Sequence, residues 1–328
     1  MDFLFIIRFS WPGNLIFLWE DNDLKKNESS LTSLISAFGR AYHHKYDTPQ
    51  IFDDYIANDL MTQKEFEDIS ENMANGIQFF NPEIAETFQD QPHEILKWIT
   101  QVQLSPTPLA RAAFCENVLC HEMELGVKQY VILGAGMDTF CFRNPEAAGS
   151  LEMFEVDEPA TQDFKKTRIA NANYDIPDHL HFVPGDFTRD IILKNLVEQG
   201  FNVNKKTFFS LLGVSYYLTR EETSALINEL FKEVPSGSSI VLDYADENLF
   251  NEKGLSNRVQ NMVQMAAASG EPMKSCYSYD EMEKMLDQSG LLIYEHLSPN
   301  MIQIQFFGER SDYLSAFETI HYIHAVKK

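Results

Sequence analysis

Apolar residues recur at two different spacings along this chain, and the change comes near residue 127. From Ser30 to about Thr100 the spacing is helical. Leu31, Leu34, Ile35 and Phe38 make one face, and Phe52, Tyr55, Ile56 and Leu60 a second. Phe66, Ile69, Met73, Ile77 and Phe80 make a third, with Asn81-Pro82 as a stop. Without a strong strand signal, this block predicts a helical layer ahead of a sheet. Ser105-Pro-Thr-Pro108 reads as a turn, and Leu109 to Gly126 as a helix that Gly126 ends. Beyond it, short apolar runs at 130–133, 151–156, 180–184, 207–212, 239–244, 291–297 and 320–326 alternate with polar helical stretches. That alternation predicts an α/β fold, a mainly parallel sheet with helices on both faces. Pro235-Ser-Gly-Ser238 marks a turn before the fifth run, and Ser289-Gly290 breaks a helix before the sixth. One more helical face, Val259, Met262, Val263 and Met265, lies between Gly254 and Gly270. It reads as a helical lid over about 250–272, with plain core as the alternative.

The first nineteen residues are rich in Phe, Ile, Leu and Trp, but Asp2 stands where a signal peptide carries positive charge. Pro12-Gly13 splits the run, which is too short to span a membrane. We read 1–29 as an N-terminal extension that packs on the body, with a polar linker over 21–30; a membrane-surface anchor is the competing reading. Residues 30–328 read as one domain, helical to 126 and sheet-based from 127. The formal net charge of −23 repels a phosphate backbone, which argues against nucleic acid as a main partner and fits a cytosolic protein. Cys115, Cys120, Cys141 and Cys276 form no CxxC pair and have no histidine cluster at zinc-ligand spacing. They read as small buried hydrophobes in a reducing compartment, with no metal expected.

The first apolar run ends in Leu133-Gly-Ala-Gly-Met-Asp-Thr139. In an open parallel sheet, ligands bind beyond the C-terminal strand ends, so Gly134, Ala135 and Gly136 belong at the ligand. Glycine lets a cofactor approach the backbone. A dinucleotide turn needs a third glycine where this chain has Thr139, which favours a nucleoside without phosphates, such as S-adenosylmethionine. Glu155 and Asp157 follow Gly136 by 19 and 21 residues, and an acid there accepts hydrogen bonds from both ribose hydroxyls. The third run ends at Asp186-Phe187, where a carboxylate accepts from an adenine amino group and the next N–H donates to the ring. A turn aspartate capping its own loop is the plainer reading. Ser215, Tyr216 and Tyr217 follow the fourth run, near the transferred group, with simple packing as the alternative. Thr219-Arg-Glu-Glu222 reads as a capping box.

The glycine turn followed by Arg143 resembles the leucine carboxyl methyltransferase family, in particular its bacterial branch of S-adenosylmethionine-dependent methyltransferases. Ser30-Leu-Thr-Ser33 to Arg40-Ala41, Thr107-Pro-Leu-Ala-Arg111, and Phe154-Glu-Val-Asp157 with Lys165 or Lys166 are similar to further family blocks. So are Leu212-Gly-Val with Tyr217-Leu218, Gly270-Glu-Pro272 and His321-Tyr-Ile-His-Ala325, all in family order. The resemblance implies a class I methyltransferase fold, Rossmann-like. Its sheet has seven strands, six parallel and the last antiparallel, with added helices at the N-terminus and over the site. It implies S-adenosyl-L-methionine as cofactor. Arg111 would meet the carboxylate of its methionine part, two parallel bonds suiting that pair. Gly134 and Gly136 would lie under it, Asp157 on the ribose, and Asp186 with Phe187 at the adenine; Ala135, Asp138 and Glu155 stand beside these as further cofactor candidates. Protein-carboxyl methylating members carry a glutamate where this chain has Leu212, which leaves that cofactor contact open and argues against a protein C-terminus as acceptor. The expected reaction is O-methylation, on a carboxylate or hydroxyl, of a small organic acceptor. A carboxylate needs no base, whereas a hydroxyl does. Candidate bases are Tyr216, His43 and His44, and Arg40 and Lys45 could steer an anion. The competing readings are protein C-terminal carboxyl methylation, a nicotinamide-dependent oxidoreductase and a non-catalytic nucleoside-binding protein.

Overall fold

The computed structural model describes residues 5–10, 14–19 and 28–328, with side chains from Thr32 onward. Strands β1 (Phe5–Ser10) and β2 (Asn14–Trp19) pair antiparallel, Phe5 opposite Trp19. The sequence pattern had shown no strand there, and Pro12-Gly13 between them lies outside the described residues. Most of the expected linker lies outside them too, and its last three residues open the first helix, Glu28–Tyr46.

The main sheet has seven strands: β3 (Gln129–Leu133), β4 (Glu152–Asp157), β5 (Leu180–Pro184), β6 (Thr207–Leu211), β7 (Ser239–Ala245), β8 (Leu291–Leu297) and β9 (Ile320–Lys327). Their spatial order is β5-β4-β3-β6-β7-β9-β8. Only β9 runs against its neighbours, so six strands are parallel and the last is antiparallel, as expected. From β3 the chain winds outward through β4 and β5, then returns to the other side of β3 as β6. A crevice therefore opens beyond the C-terminal ends of β3 and β6.

Both faces of the sheet are covered, which is why its strands read as near-continuous apolar runs. Tyr130 and Ile132 pack under the helix Pro106–Glu124 with Phe114 and Leu119. Val131 and Leu133 face the opposite way, with Leu226 and Leu230 of the helix Arg220–Glu233. Thr219 and Glu222 form the expected capping box at the start of that helix.

The helical layer has its own core, in which Leu34, Phe38, Ile56, Phe66, Ile69 and Trp98 meet. Asn81 acts as both stop and start: its side chain accepts from the N–H groups of Glu83 and Ile84 and opens the short helix Pro82–Thr87. The expected turn at Ser105–Pro108 is absent. The helix Pro92–Ile99 widens into a buried π-turn at Thr100–Leu104, and Pro106 is already the first residue of the next helix. Proline suits that position because its missing N–H would have had no partner there.

Candidate functional site

The turn leaving β3 is wedged from two sides. Gly134 has φ of +74°, and the N–H groups of Gly134 and Ala135 both donate to the Val156 carbonyl, at 2.8 and 3.2 Å. A β-carbon on Gly134 would stand 2.3 Å from Val214 Cγ2 in the loop after β6. Gly136, with φ of +47°, donates its N–H to Asp157 Oδ2 at 2.7 Å, and a β-carbon there would stand 3.0 Å from Ser33 Cβ. Asp138 Oδ1 accepts from the N–H of Phe140 at 2.9 Å. Only a four-residue helix, Phe140–Arg143, follows. The turn thus lacks the long helix whose N-terminus holds a pyrophosphate. Thr139, in place of the third glycine, is buried; its hydroxyl donates to Asp54 Oδ1 at 2.7 Å and accepts from Arg143 Nε at 2.9 Å.

A cavity of about 380 Å³ lies over this turn, within the roughly 300–1,000 Å³ of small-molecule sites. Gly134, Ala135, Gly136, Asp138, Asp157 and Leu212 line it, as do Arg111, Asp186 and Phe187. Nine of the ten residues expected around a cofactor are therefore brought together, and Glu155 is the exception. It sits two residues inside the strand, about 7 Å of rise from Asp157, beneath the helix Pro159–Asn171. There its Oε2 is 2.5 Å from Lys165 Nζ, and Oε1 is buried without a hydrogen-bond partner among the described residues. Burial pushes the Glu155 carboxyl up to about 7, against the pull of Lys165. Asp157, at the strand end, accepts from the N–H groups of Gly136 and Glu158 and keeps lone pairs toward the cavity. Burial pushes its carboxyl up to about 6 despite those donors.

Arg111 reaches the cavity from the helix Pro106–Glu124. Its Nη1 donates to the Tyr216 hydroxyl at 3.0 Å and to Asp243 Oδ2 at 3.1 Å, while Nη2 has no protein partner among the described residues. Asp186 does what a turn aspartate does, its Oδ1 accepting from the N–H and hydroxyl of Thr188 at 2.9 and 2.6 Å. Partial burial works against its charged form, but Thr188 keeps the carboxyl below its usual value. It also lines the cavity, so both readings of Asp186 describe the same residue.

The candidate bases fare differently. Tyr216 lies behind Arg111 rather than on the cavity wall, and burial holds its phenol far above its ordinary value, so it serves as a neutral partner to Arg111 and not as a base. Its neighbour Tyr217 lines the cavity instead. His43 is fully buried outside the cavity. The Ile51 N–H donates to its Nε2 at 2.8 Å, so its proton is on Nδ1 and donates to Asp47 Oδ2 at 2.7 Å. His44 pairs with Asp53 at the surface, and the Lys45 ammonium lies over the rings of Tyr46 and Phe66. Neither reaches the cavity. Arg40 does line it, but its donors go to Asp54, Ser36 Oγ and the Met137 carbonyl. Burial alone would raise the Asp54 carboxyl; Arg40 and Arg143 hold it below its ordinary value.

The expected lid helix spans Arg258–Ala268 and packs its apolar face as core, with Val259 fully buried. The cavity is bordered by the end of the expected 250–272 segment, Gly270, Glu271 and Pro272, and by Lys274 just beyond it, rather than by the helix itself. Thr32 donates its hydroxyl to Glu271 Oε2 at 2.6 Å, linking that segment to the first helix. Sequence reasoning missed Asp54, Gly213 and Asp243. Asp243 had a readable signal, a lone charge inside the apolar run 239–244. Asp54 was missed because what ties it to the site, Thr139 and Arg143, is remote in the chain, and its nearer partner Arg40 lies on the first helix.

The chain is similar to known proteins in sequence and in fold. The family model for leucine carboxyl methyltransferase matches residues 33–231. A Bacillus subtilis (strain 168) protein, YktD, named as an S-adenosyl-L-methionine-dependent methyltransferase, is 67% identical over 305 residues, which cover 93% of this chain and 100% of the relative. A protein of Parafrankia sp. (strain EAN1pec) with the same kind of name is 32% identical over 135 residues, 41% of this chain and 43% of the relative. Among solved structures, a DUF574 family protein from Streptomyces avermitilis superposes with a TM-score of 0.52 at 12% identity, covering 89% of this chain and 97% of that one. That last likeness concerns the fold.

Proposed function

Because this chain belongs to the leucine carboxyl methyltransferase family, we propose that it methylates an oxygen, carboxylate or hydroxyl, of a small organic acceptor. It is an S-adenosyl-L-methionine-dependent methyltransferase. The residues over the β3 turn suit that cofactor. Gly134 leaves bare backbone where a side chain would collide with Val214. Arg111 turns an open guanidinium edge to the cavity, matched to a carboxylate. Asp157 has lone pairs left for a diol. Bound there, the cofactor supplies a methyl group on a positively charged sulfur, open to in-line attack by an oxygen.

The chain's own contribution is alignment and exclusion of water. Arg111 would fix the methionine end of the cofactor and Asp157 its central ribose, while Asp186 and Phe187, also on the cavity wall, would meet the adenine end. Tyr216 stays neutral and holds Arg111, so it takes no proton from an acceptor. An acceptor carboxylate, ionised at neutral pH, fits a wall that aligns rather than deprotonates. The observation that carries the small-acceptor reading is the Thr32–Glu271 bond, which ties two walls of the cavity, the first helix and the 270–274 segment, to each other. We place its work in the cytosol, consistent with the acidic charge and with four unpaired cysteines. Among the described residues no helix is long and apolar enough to cross a membrane.

The test supplies methyl-labelled cofactor to the purified protein with a metabolite extract. Label appearing on a small molecule supports the proposal. Label found only on a protein C-terminus overturns it, and tight binding of a nicotinamide dinucleotide but not of S-adenosylhomocysteine would overturn the cofactor assignment as well.

A further inference from the structure

Strand β7 is buried from end to end, yet it carries a carboxylate at Asp243. A buried charge persists only where its oxygens are satisfied. Here two donors from separate parts of the chain satisfy it. Oδ1 accepts from the Gly213 N–H at 2.6 Å, and Oδ2 from Arg111 Nη1 at 3.1 Å. The Ser215 hydroxyl also donates to the Asp243 backbone carbonyl at 2.6 Å, so the loop after β6 is tied to β7 at two points. Gly213 has φ of +75°, and a β-carbon there would stand 2.6 Å from both Nη1 and Nη2 of Arg111. The guanidinium therefore lies against bare backbone. With Nη1 shared between Asp243 and Tyr216, the plane of the guanidinium is set and its Nη2 edge is left for the cavity.

We propose that Asp243 is the positioning residue for Arg111: it presets the guanidinium edge that takes the carboxylate of the bound cofactor and locks the Gly213 loop to the same anchor. The proposal rests on the cofactor assignment above. Its physical basis is preorganisation. An arginine side chain held in its binding geometry beforehand loses little further freedom when the ligand arrives. An amide in place of the carboxylate has a single acceptor oxygen, so either Gly213 or Arg111 would lose its partner.

The experiment compares two ligands by calorimetry on wild type, Asp243→Asn and Tyr216→Phe. S-adenosylhomocysteine carries the amino-acid carboxylate, and 5′-methylthioadenosine keeps the adenine, ribose and thioether without it. Asp243→Asn is expected to weaken S-adenosylhomocysteine by about tenfold or more, as for loss of a charged hydrogen bond, while 5′-methylthioadenosine is unchanged. Tyr216→Phe should shift the ratio of the two affinities in the same direction by less. Equal weakening of both ligands in Asp243→Asn, or an unchanged ratio, overturns the proposal. If that variant does not fold, an unchanged ratio in Tyr216→Phe overturns it. Wild type binding neither ligand would instead remove the cofactor assignment on which the proposal stands.

Discussion

Gly134→Ala tests the tightest contact in the site. The added methyl acts twice. It places a β-carbon at a φ of +74°, a left-handed conformation that costs an L-residue roughly 1–2 kcal/mol. It also lands 2.3 Å from Val214 Cγ2, about 1.2 Å inside a normal carbon–carbon contact of about 3.5 Å. Val214 is held by its own loop, and Phe187 Cε2 stands 3.9 Å from the same point, so little room exists for retreat. Overpacking of this kind costs about 1–3 kcal/mol. Together the two effects come to roughly 2–5 kcal/mol, expressed as lost stability, lost cofactor affinity or both. Urea unfolding with parallel calorimetry of S-adenosylhomocysteine binding measures the sum. Val214→Ala separates the parts, since Gly134→Ala on that background keeps the backbone cost but meets no Cγ2. The double-mutant cycle should therefore show a favourable coupling of about 1–3 kcal/mol. A Gly134→Ala protein within about 0.5 kcal/mol of wild type in both assays, the range of ordinary surface substitutions, would refute the reasoning.

The raised carboxyls predict an unusual pH response. Burial pushes up the carboxyls of Asp157, to about 6, of Glu155, to about 7, and of Glu116, which lies on the helix Pro106–Glu124 and pairs with Arg143, also to about 7. All three therefore bind protons more tightly folded than unfolded, where such groups titrate near ~4. Their contribution to stability is thus complete below about pH 4 and lost as pH rises through about 6 to 7. The ligand-free protein should melt higher near pH 5 than near pH 8, and a rise in melting temperature across that range would contradict these assignments. Because a ribose is best held by ionised Asp157, S-adenosylhomocysteine affinity should fall below about pH 6. Asp157→Asn should abolish that step; its persistence would point to another group. Lys165→Met strands Glu155 in the interior and should cost roughly 3–5 kcal/mol in urea unfolding. Adding Glu155→Leu should recover most of it, and no recovery would count against a direct pair. Thr32→Val removes the hydroxyl that donates to Glu271 and should speed S-adenosylhomocysteine release in stopped flow; an unchanged rate would show that this bond does not close the cavity.

The sequence by itself determined the sheet. All seven of its strands coincide with apolar runs within a residue or two, because strands covered by helices on both faces leave a local, continuous signature. The glycine turn was legible for a similar reason. A positive φ and a close backbone approach are properties of one or two residues, and only glycine supplies them cheaply. Arg111 was legible through its place in a family block, Asp157 through its spacing after Gly136 as well, and Asp186 through its place at the end of the third apolar run; each lines the cavity. Only the tertiary structure decided between acids and rings of identical local character. Glu155 and Asp157 lie on one short strand, but the strand ends at Asp157, so one faces the cavity and the other is sealed against Lys165. Tyr216 and Tyr217 are adjacent, yet the turn sends one phenol behind Arg111 and the other to the wall. Thr139 marked the absence of a third glycine, while its actual task, bridging Asp54 and Arg143, joins residues far apart in the chain. Local patterns record what a residue's own backbone requires, whereas partners brought together by the fold leave no mark at the positions where they stand.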